Sequence, residues 1–508
     1  MIKRASLYIL KMFGLTMLHL SACILIILDL FYMNINEIAA IVITVIWAIL
    51  LWALSIYLGR KRKLSQKRRV GRGIYFAVID ILVILLMIVA TELNMYWNSE
   101  LLRNNKWTDD SGNKVVTRAE ALEDYEFAMK YLKKIHPNTI DGLPSDVEKK
   151  AAEVKTYLES VDTIKGYELA RELESIFALL NDGHTIVKEM YDDYHYMKHM
   201  YEHEAKGDKL VGINGITLEE FLESDKRPES YEREAYGIES ITQRVATLEG
   251  LKYLGIDTNK DIIYNFINVD GENVDEVVFA KDFFMKEDYL NYEELVTGDN
   301  LHEEKSKDFV SYEIDKKHSL VILTLDSCKY NDHYREVVAQ MFDDVEKNGI
   351  ENIAVDLRAN SGGMSKVADE FINYLDVDEY RGWASELRAG WFKFKSDAKT
   401  YKNQRKGAGF KGNVYILTSV LTYSSAMDFA MFIQDNRLGK VVGESCGNMP
   451  ASCGEVAHFK LPNSGLYMQI SGVKWFRIDE TKSGMPIIPD YECDADDAYD
   501  ELIRIIEE

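Results

Sequence analysis

The chain has 508 residues, a net charge of −23 and 47% hydrophobic residues, so it is too long for one ordinary domain. Residues 1–100 carry a balance of +6 and the remainder −29, which makes nucleic acid a poor partner because phosphate binding needs basic patches. Five cysteines are too few for a disulfide scaffold; Cys446 and Cys453 flank the loop "SCGNMPASCG", could pair on an oxidising side, and fit no common zinc spacing.

Three apolar runs come first, at about 6–33, 38–58 and 74–97, and each has the roughly 20 residues needed to span a bilayer. Between the second and third lies "GRKRKLSQKRRVGRG", with eight Lys/Arg and no acid, which the positive-inside rule places in the cytoplasm. The expectation is three transmembrane helices, a cytoplasmic N-terminus, and residues from about 98 onward outside. Leu20-Ser21-Ala22-Cys23 is similar to a bacterial lipid-attachment box. The chain after Cys23 stays apolar, however, where a cleaved signal would turn polar, so a membrane helix is the preferred reading.

From about 117 to 180 the pattern is helical, and Leu169, Leu173, Ile176, Phe177 and Leu180 form one buried stripe ending at the turn "NDGHT". His195, His199 and His203 are spaced by four and could share a helix face; a solvated amphipathic stretch is the plainer reading of them than a metal site. From about 210 to 284 the texture is short strands and turns. From about 309 strand-like runs ("SLVILTLD", "NIAVDL", "NVYILTS") alternate with helix-like ones, the signature of an α/β domain. The expected division is 1–98 membrane anchor, 99–204 helical region, 205–304 strand-rich region and 305–508 α/β core.

Two strand–turn–helix segments carry candidate chemistry. In "NIAVDLRANSGGMSKVADEFINYL" the adjacent Gly362 and Gly363 let backbone approach a ligand and present free N–H groups. In "NVYILTSVLTYSSAMDFAMFIQD" Ser425 and Asp428 fit a capping box, which leaves Ser424 just before the helix, where the helix dipole favours an oxyanion. His184 in "NDGHT" is either a structural histidine or a base.

Together these segments resemble the tail-specific (C-terminal processing) peptidase family, in the branch that includes the tricorn core. "DYEFAMKYLKKIHPN" resembles the family's leading helix, "LLNDGHTIV" its Asp-Gly-His-Thr motif, and "GDKLVGINGITLEEFL" its PDZ-like segment. "AVDLRANSGG" resembles the glycine turn, and "GKVVGESCG" and "GMPIIPDYE" the strands after the nucleophile. The resemblance implies a crotonase-like α/β peptidase core and no metal or cofactor. It places the nucleophile on Ser424 and an oxyanion hole on Ser425 with Gly362 or Gly363. Met449 stands where a Ser–Lys enzyme carries its lysine, and no lysine lies between Lys440 and Lys460, so the tricorn-like branch and its histidine, matching His184, are implied instead. For the third acid the position suggests Asp479, with Glu480 and Glu455 as alternatives. The expected function is a membrane-anchored extracytoplasmic serine peptidase acting on peptide or protein substrates. The alternative is a catalytically silent peptide- or ligand-binding surface protein of the same fold.

Overall fold

The computed structural model describes residues 13–18, 37–61, 65–103, 110–224, 228–286, 288 and 308–508. Contacts divide the chain into two compact units, one of 1–106 with 457–459 and one of 107–456 with 460–508. The divisions expected near 204 and 304 therefore fall inside a single unit.

In the first unit, α1 (Glu37–Lys61) and α2 (Gln66–Arg103) are long helices. The segment Gln66–Ile88 is long and apolar enough to cross a membrane, by length and composition, whereas the apolar part of α1, Val42–Leu58, is shorter. The expectation of three crossings thus reduces to one candidate among the described residues. The first apolar run lies mostly outside them, as does Cys23. Much of the basic stretch read as a loop is helical, closing α1 and opening α2. Arg72 is drawn in by a hydrogen bond from its Nε to Ser55 Oγ at 3.1 Å.

The second unit begins with the three helices expected from 117 to 180: α3 (Arg118–Ile135), α4 (Ser145–Ser160) and α5 (Gly166–Phe177). Thr117 caps α3 in a capping box with Glu120, and Leu169, Leu173, Ile176 and Phe177 are buried as the stripe requires. Asn181, in left-handed conformation (φ 49°), ends the turn after α5 and starts the Asp-Gly-His-Thr loop. The strand-rich region forms a four-stranded sheet of Lys209–Ile213, Ile216–Thr217, Ile262–Ile267 and Asn273–Val278. The three histidines share no helix face. His195 lies in a strand against Glu249, His199 meets Glu202, and His203 sits between Asp208 and Glu276, so each has an acidic partner of its own.

The α/β core is a six-stranded sheet in chain order: β1 (Val310–Asp315), β2 (Leu320–Leu325), β3 (Asn352–Asp356), β4 (Asn413–Thr418), β5 (Lys440–Gly443) and β6 (Tyr491–Glu492). Only β1 runs antiparallel to its neighbour; the other pairings are parallel. Alternation along the strands makes two faces. Val321, Leu323, Ile353, Val355, Val414 and Ile416 pack against α6 (Asp332–Asn348), α7 (Lys366–Ile372) and α8 (Ser425–Asp435). Leu320, Ile322, Ala354, Tyr415 and Leu417 pack against α9 (Ala498–Glu507) through Ala498 and Leu502. The loops leaving β3 and β4 at their C-terminal ends are where open parallel sheets build sites.

Candidate active site

Those two loops are sewn together by buried polar groups. Thr422 Oγ1 donates to Leu357 O at 2.9 Å, Ser419 Oγ to Arg358 O at 2.6 Å, and the Tyr423 amide to Asn360 O at 3.0 Å. Ser424 is thereby held at φ 52°, ψ −125°, a region that an L-residue occupies only when its surroundings over-determine it. Its amide donates to Asn448 Oδ1 at 2.9 Å and its carbonyl accepts from the Asp428 amide at 2.9 Å. The side chain of Ser424 makes no cap, so the capping box read on Ser425 and Asp428 is not formed. Ser425 is the first helical residue, and its Oγ lies 3.0 Å from Ser365 Oγ and 3.1 Å from Gly363 O. Asp428, its pKa pushed up to about 7 by burial, accepts from Ser365 Oγ instead.

The glycine turn closes over the serine. A Cβ on Gly362 would lie 2.7 Å from Ser424 Cβ, 2.9 Å from Tyr423 O and 3.0 Å from Ser425 N, and the residue has φ 109°. The Gly362 amide is already committed to Asn360 Oδ1 at 2.8 Å, so as an oxyanion donor it is set aside. Among the described residues the amides of Gly363 and Ser425 have no acceptor, and the Ser425 amide stands at the positive end of α8. Gly362→Ala should accordingly cost about 2–3 kcal/mol through contact and backbone strain. A lowered unfolding midpoint together with lost reactivity of Ser424 checks this; a variant as stable and reactive as wild type would mean the two loops do not close as described.

The Asp-Gly-His-Thr loop supplies the imidazole. Asp182 is buried and accepts from His136 Nε2 at 3.1 Å, Thr185 Oγ1 at 2.6 Å and the His184 amide at 3.0 Å. Burial pushes its carboxyl up, but the hydrogen bond from His136, with the nearby His184 and the bond from Thr185, outweighs this and holds it below the usual carboxylate range. Because the Asn138 amide donates to His136 Nδ1 at 3.2 Å, the His136 proton sits on Nε2, facing Asp182. Asp182 thus fixes the loop, and the His184 ring packs against Tyr423, the neighbour of Ser424, with centroids 5.1 Å apart.

His184 Nδ1 is buried without a hydrogen bond, and so is Glu232 Oε1, which lies 3.9 Å from it. Asp182 Oδ1 is 3.8 Å from the same nitrogen. The other oxygen of Glu232 accepts from the Met449 amide at 2.6 Å, and the Gly183 amide also donates to this carboxylate. Glu232 therefore binds the residue before His184 and the residue after Asn448, the anchor of Ser424. Burial, reinforced by the Asp182 charge, raises the pKa of Glu232, and burial lowers that of His184 against the opposing pull of Asp182. Asp182, His184 and Glu232 present donor atoms within 4.8 Å of one another that could hold a cation, as do His136, Asp182 and Cys453.

The acids expected at the third position lie elsewhere. Asp479 accepts from Thr481 and sits by Lys482, Arg477 and Asp435, where it caps a short helical turn. Glu480 belongs to that turn, and Glu455 is exposed at φ 51°. None of their recorded contacts is to His184. Glu232 escaped the sequence reading because "PESYEREAYG" carries three acids and no motif. Cys446 and Cys453 are both buried and free.

Residues 319–493 match the sequence model of Peptidase family S41. They form an S41 peptidase domain, and the protein is a serine-type peptidase. No curated protein sequence matches the chain. In structure, the S41 chain is similar to mature CPAF complexed with lactacystin (12% identity, 77% of this chain and 98% of that one, TM-score 0.55). It is also similar to mature CPAF alone (12%, 76% and 96%, 0.52) and to a photosystem II D1 C-terminal processing protease (11%, 77% and 97%, 0.42). At such identities the likeness is one of fold. Both loops leaving the sheet, 357–365 and 419–424, lie inside the S41 match, and His184 lies outside it.

Proposed function

We infer that this S41 peptidase hydrolyses peptide bonds with Ser424 as nucleophile, His184 as general base and Glu232 as the acid that orients the imidazole. The carrying observation is the strained Ser424 at the start of α8, next to two amides that have no acceptor among the described residues, with the His184 ring packed against its neighbour Tyr423. Ser424 Oγ attacks the peptide carbonyl, His184 takes its proton and returns it to the leaving amine, and the Gly363 and Ser425 amides hold the oxyanion. Glu232 Oε1 and His184 Nδ1 are further apart than a hydrogen bond, as catalytic pairs without substrate often are, and they close as the imidazolium forms. Met449 then has a different task from the lysine of a Ser–Lys enzyme, since its amide, not its side chain, serves the site by holding Glu232. The four-stranded sheet of 209–278 would serve as the PDZ-like, peptide-selecting part. The apolar helix Gln66–Ile88 and the basic residues that precede it support a membrane-anchored enzyme with its catalytic unit outside the cytoplasm.

One experiment tests both halves of this reading: a membrane-impermeant fluorophosphonate applied to intact cells, then to lysates. Labelling of Ser424 in intact cells is expected. Labelling only after lysis would overturn the external placement, and none in either would leave the silent binding protein.

A further inference from the structure

The hairpin of Ala384–Ala389 and Phe392–Ser396 leads into a run, 391–402, in which every residue is exposed. That run contains Trp391 at 79% exposure, Phe394 at 53%, Tyr401 at 43% and Phe392 at 40%. The register sets Phe392 opposite Ala389 and Phe394 opposite Leu387, so both rings stand on one face, 6.3 Å apart. Lys393 and Lys395 take the other face and reach Glu386 at 2.9 and 2.6 Å. Lys399 and Lys402 follow, and Asp397 is the one acid of the run.

Phe392–Ser396 is the outer strand of its sheet, and lysines on an outer strand discourage pairing with other chains. That accounts for the lysines and leaves the rings unexplained, because exposed clustered aromatics on a soluble surface usually meet something. Indole and phenyl rings beside lysines match the bilayer interface, where rings lie at headgroup depth and ammonium groups meet anionic phosphates. A lipid surface is the occupant favoured by charge, since this cationic strip belongs to a chain of net charge −23, and by the presence in the same chain of the apolar helix Gln66–Ile88. We propose that the 391–402 strip is a membrane-docking surface that seats Trp391, Phe392 and Phe394 in the headgroup region of an anionic bilayer.

The test uses the full chain in vesicles of phosphatidylcholine alone or with phosphatidylglycerol. Trp391→Cys carries an environment-sensitive fluorophore, and the chain without that substitution sets the background from native thiols. With phosphatidylglycerol the emission should shift to the blue and be quenched several-fold more by headgroup spin-labelled lipid than in phosphatidylcholine. Lys399→Glu with Lys402→Glu, or Phe394→Ser, should remove most of that difference while unfolding midpoints hold, because all three side chains are exposed. A fluorophore equally unquenched in both vesicles overturns the proposal. Self-quenching that grows with protein density, without lipid quenching, overturns it in favour of a second copy of the chain as the occupant.

Discussion

Ser424→Ala should lower peptide hydrolysis by about 10⁴-fold or more while leaving the unfolding midpoint near that of wild type. The alanine keeps the φ 52° backbone and its bonds to Asn448 and Asp428, and removes only an Oγ that caps nothing. Ser424→Gly separates chemistry from strain. It should be as inactive, yet more stable by about 1 kcal/mol, because glycine occupies this region without the penalty an L-residue bears there. Ser425→Ala should retain much of the activity, since its amide remains, and should lose the hydroxyl contacts to Ser365 and Gly363, not a helix cap. Activity assays and thermal unfolding on the three variants check this together. An inactive Ser425→Ala beside an active Ser424→Ala would reverse the two roles.

The second large effect concerns the base and its partner. His184→Ala should reduce kcat by about 10⁴-fold, whereas Met449→Ala should act on packing or substrate binding. The base works only when neutral. Burial lowers the pKa of His184 and raises that of Glu232, so both members of this pair favour their neutral forms. The rate kcat/KM should therefore fall as pH drops through the apparent pKa of the pair. In Glu232→Gln no carboxylate stabilises the imidazolium, so kcat should fall by about 10²–10⁴-fold and the acid limb of what remains should move to lower pH. Stability runs the other way. A carboxyl with a raised folded-state pKa loses stability as pH rises from its unfolded value through the folded one, so at neutral pH the neutral glutamine should unfold no earlier than wild type. An unchanged pH profile with a lower midpoint would make Glu232 a purely structural residue and return the acid's place to another side chain.

The parts of the site that were legible from sequence are those in which local chemistry and local geometry coincide. Gly362 and Gly363 announce a turn that no Cβ permits, and Ser424 stands out because a serine pair opens a helix after a buried strand. His184 was visible through its motif, though its loop is held by His136, 46 residues away, which only folding joins to Asp182. The capping box failed because Ser-x-x-Asp is a local pattern, while Asp428 is claimed by Ser365, 63 residues distant. Asp479 was drawn from position in the chain, and the chain spends that carboxylate on its own next turn. Glu232 has no local mark at all, since its role arises from the burial it shares with His184 and from two amides far away in sequence. The sheet was legible because continuous apolar strands alternate with helices; the membrane runs were less so, because apolar length alone does not separate a full crossing from a shorter helix.

The bond from the Met449 amide to Glu232 spans 217 residues, and that from the Ser471 amide to Thr185 spans 286. Contacts of such separation form late, because the loop they close must first give up its freedom. A chain still emerging from the ribosome, or cut short before residue 449, holds the imidazole loop without the segment that aligns it to the serine. The site is therefore complete only once the segment from Met449 to Ser471 has docked against the imidazole loop.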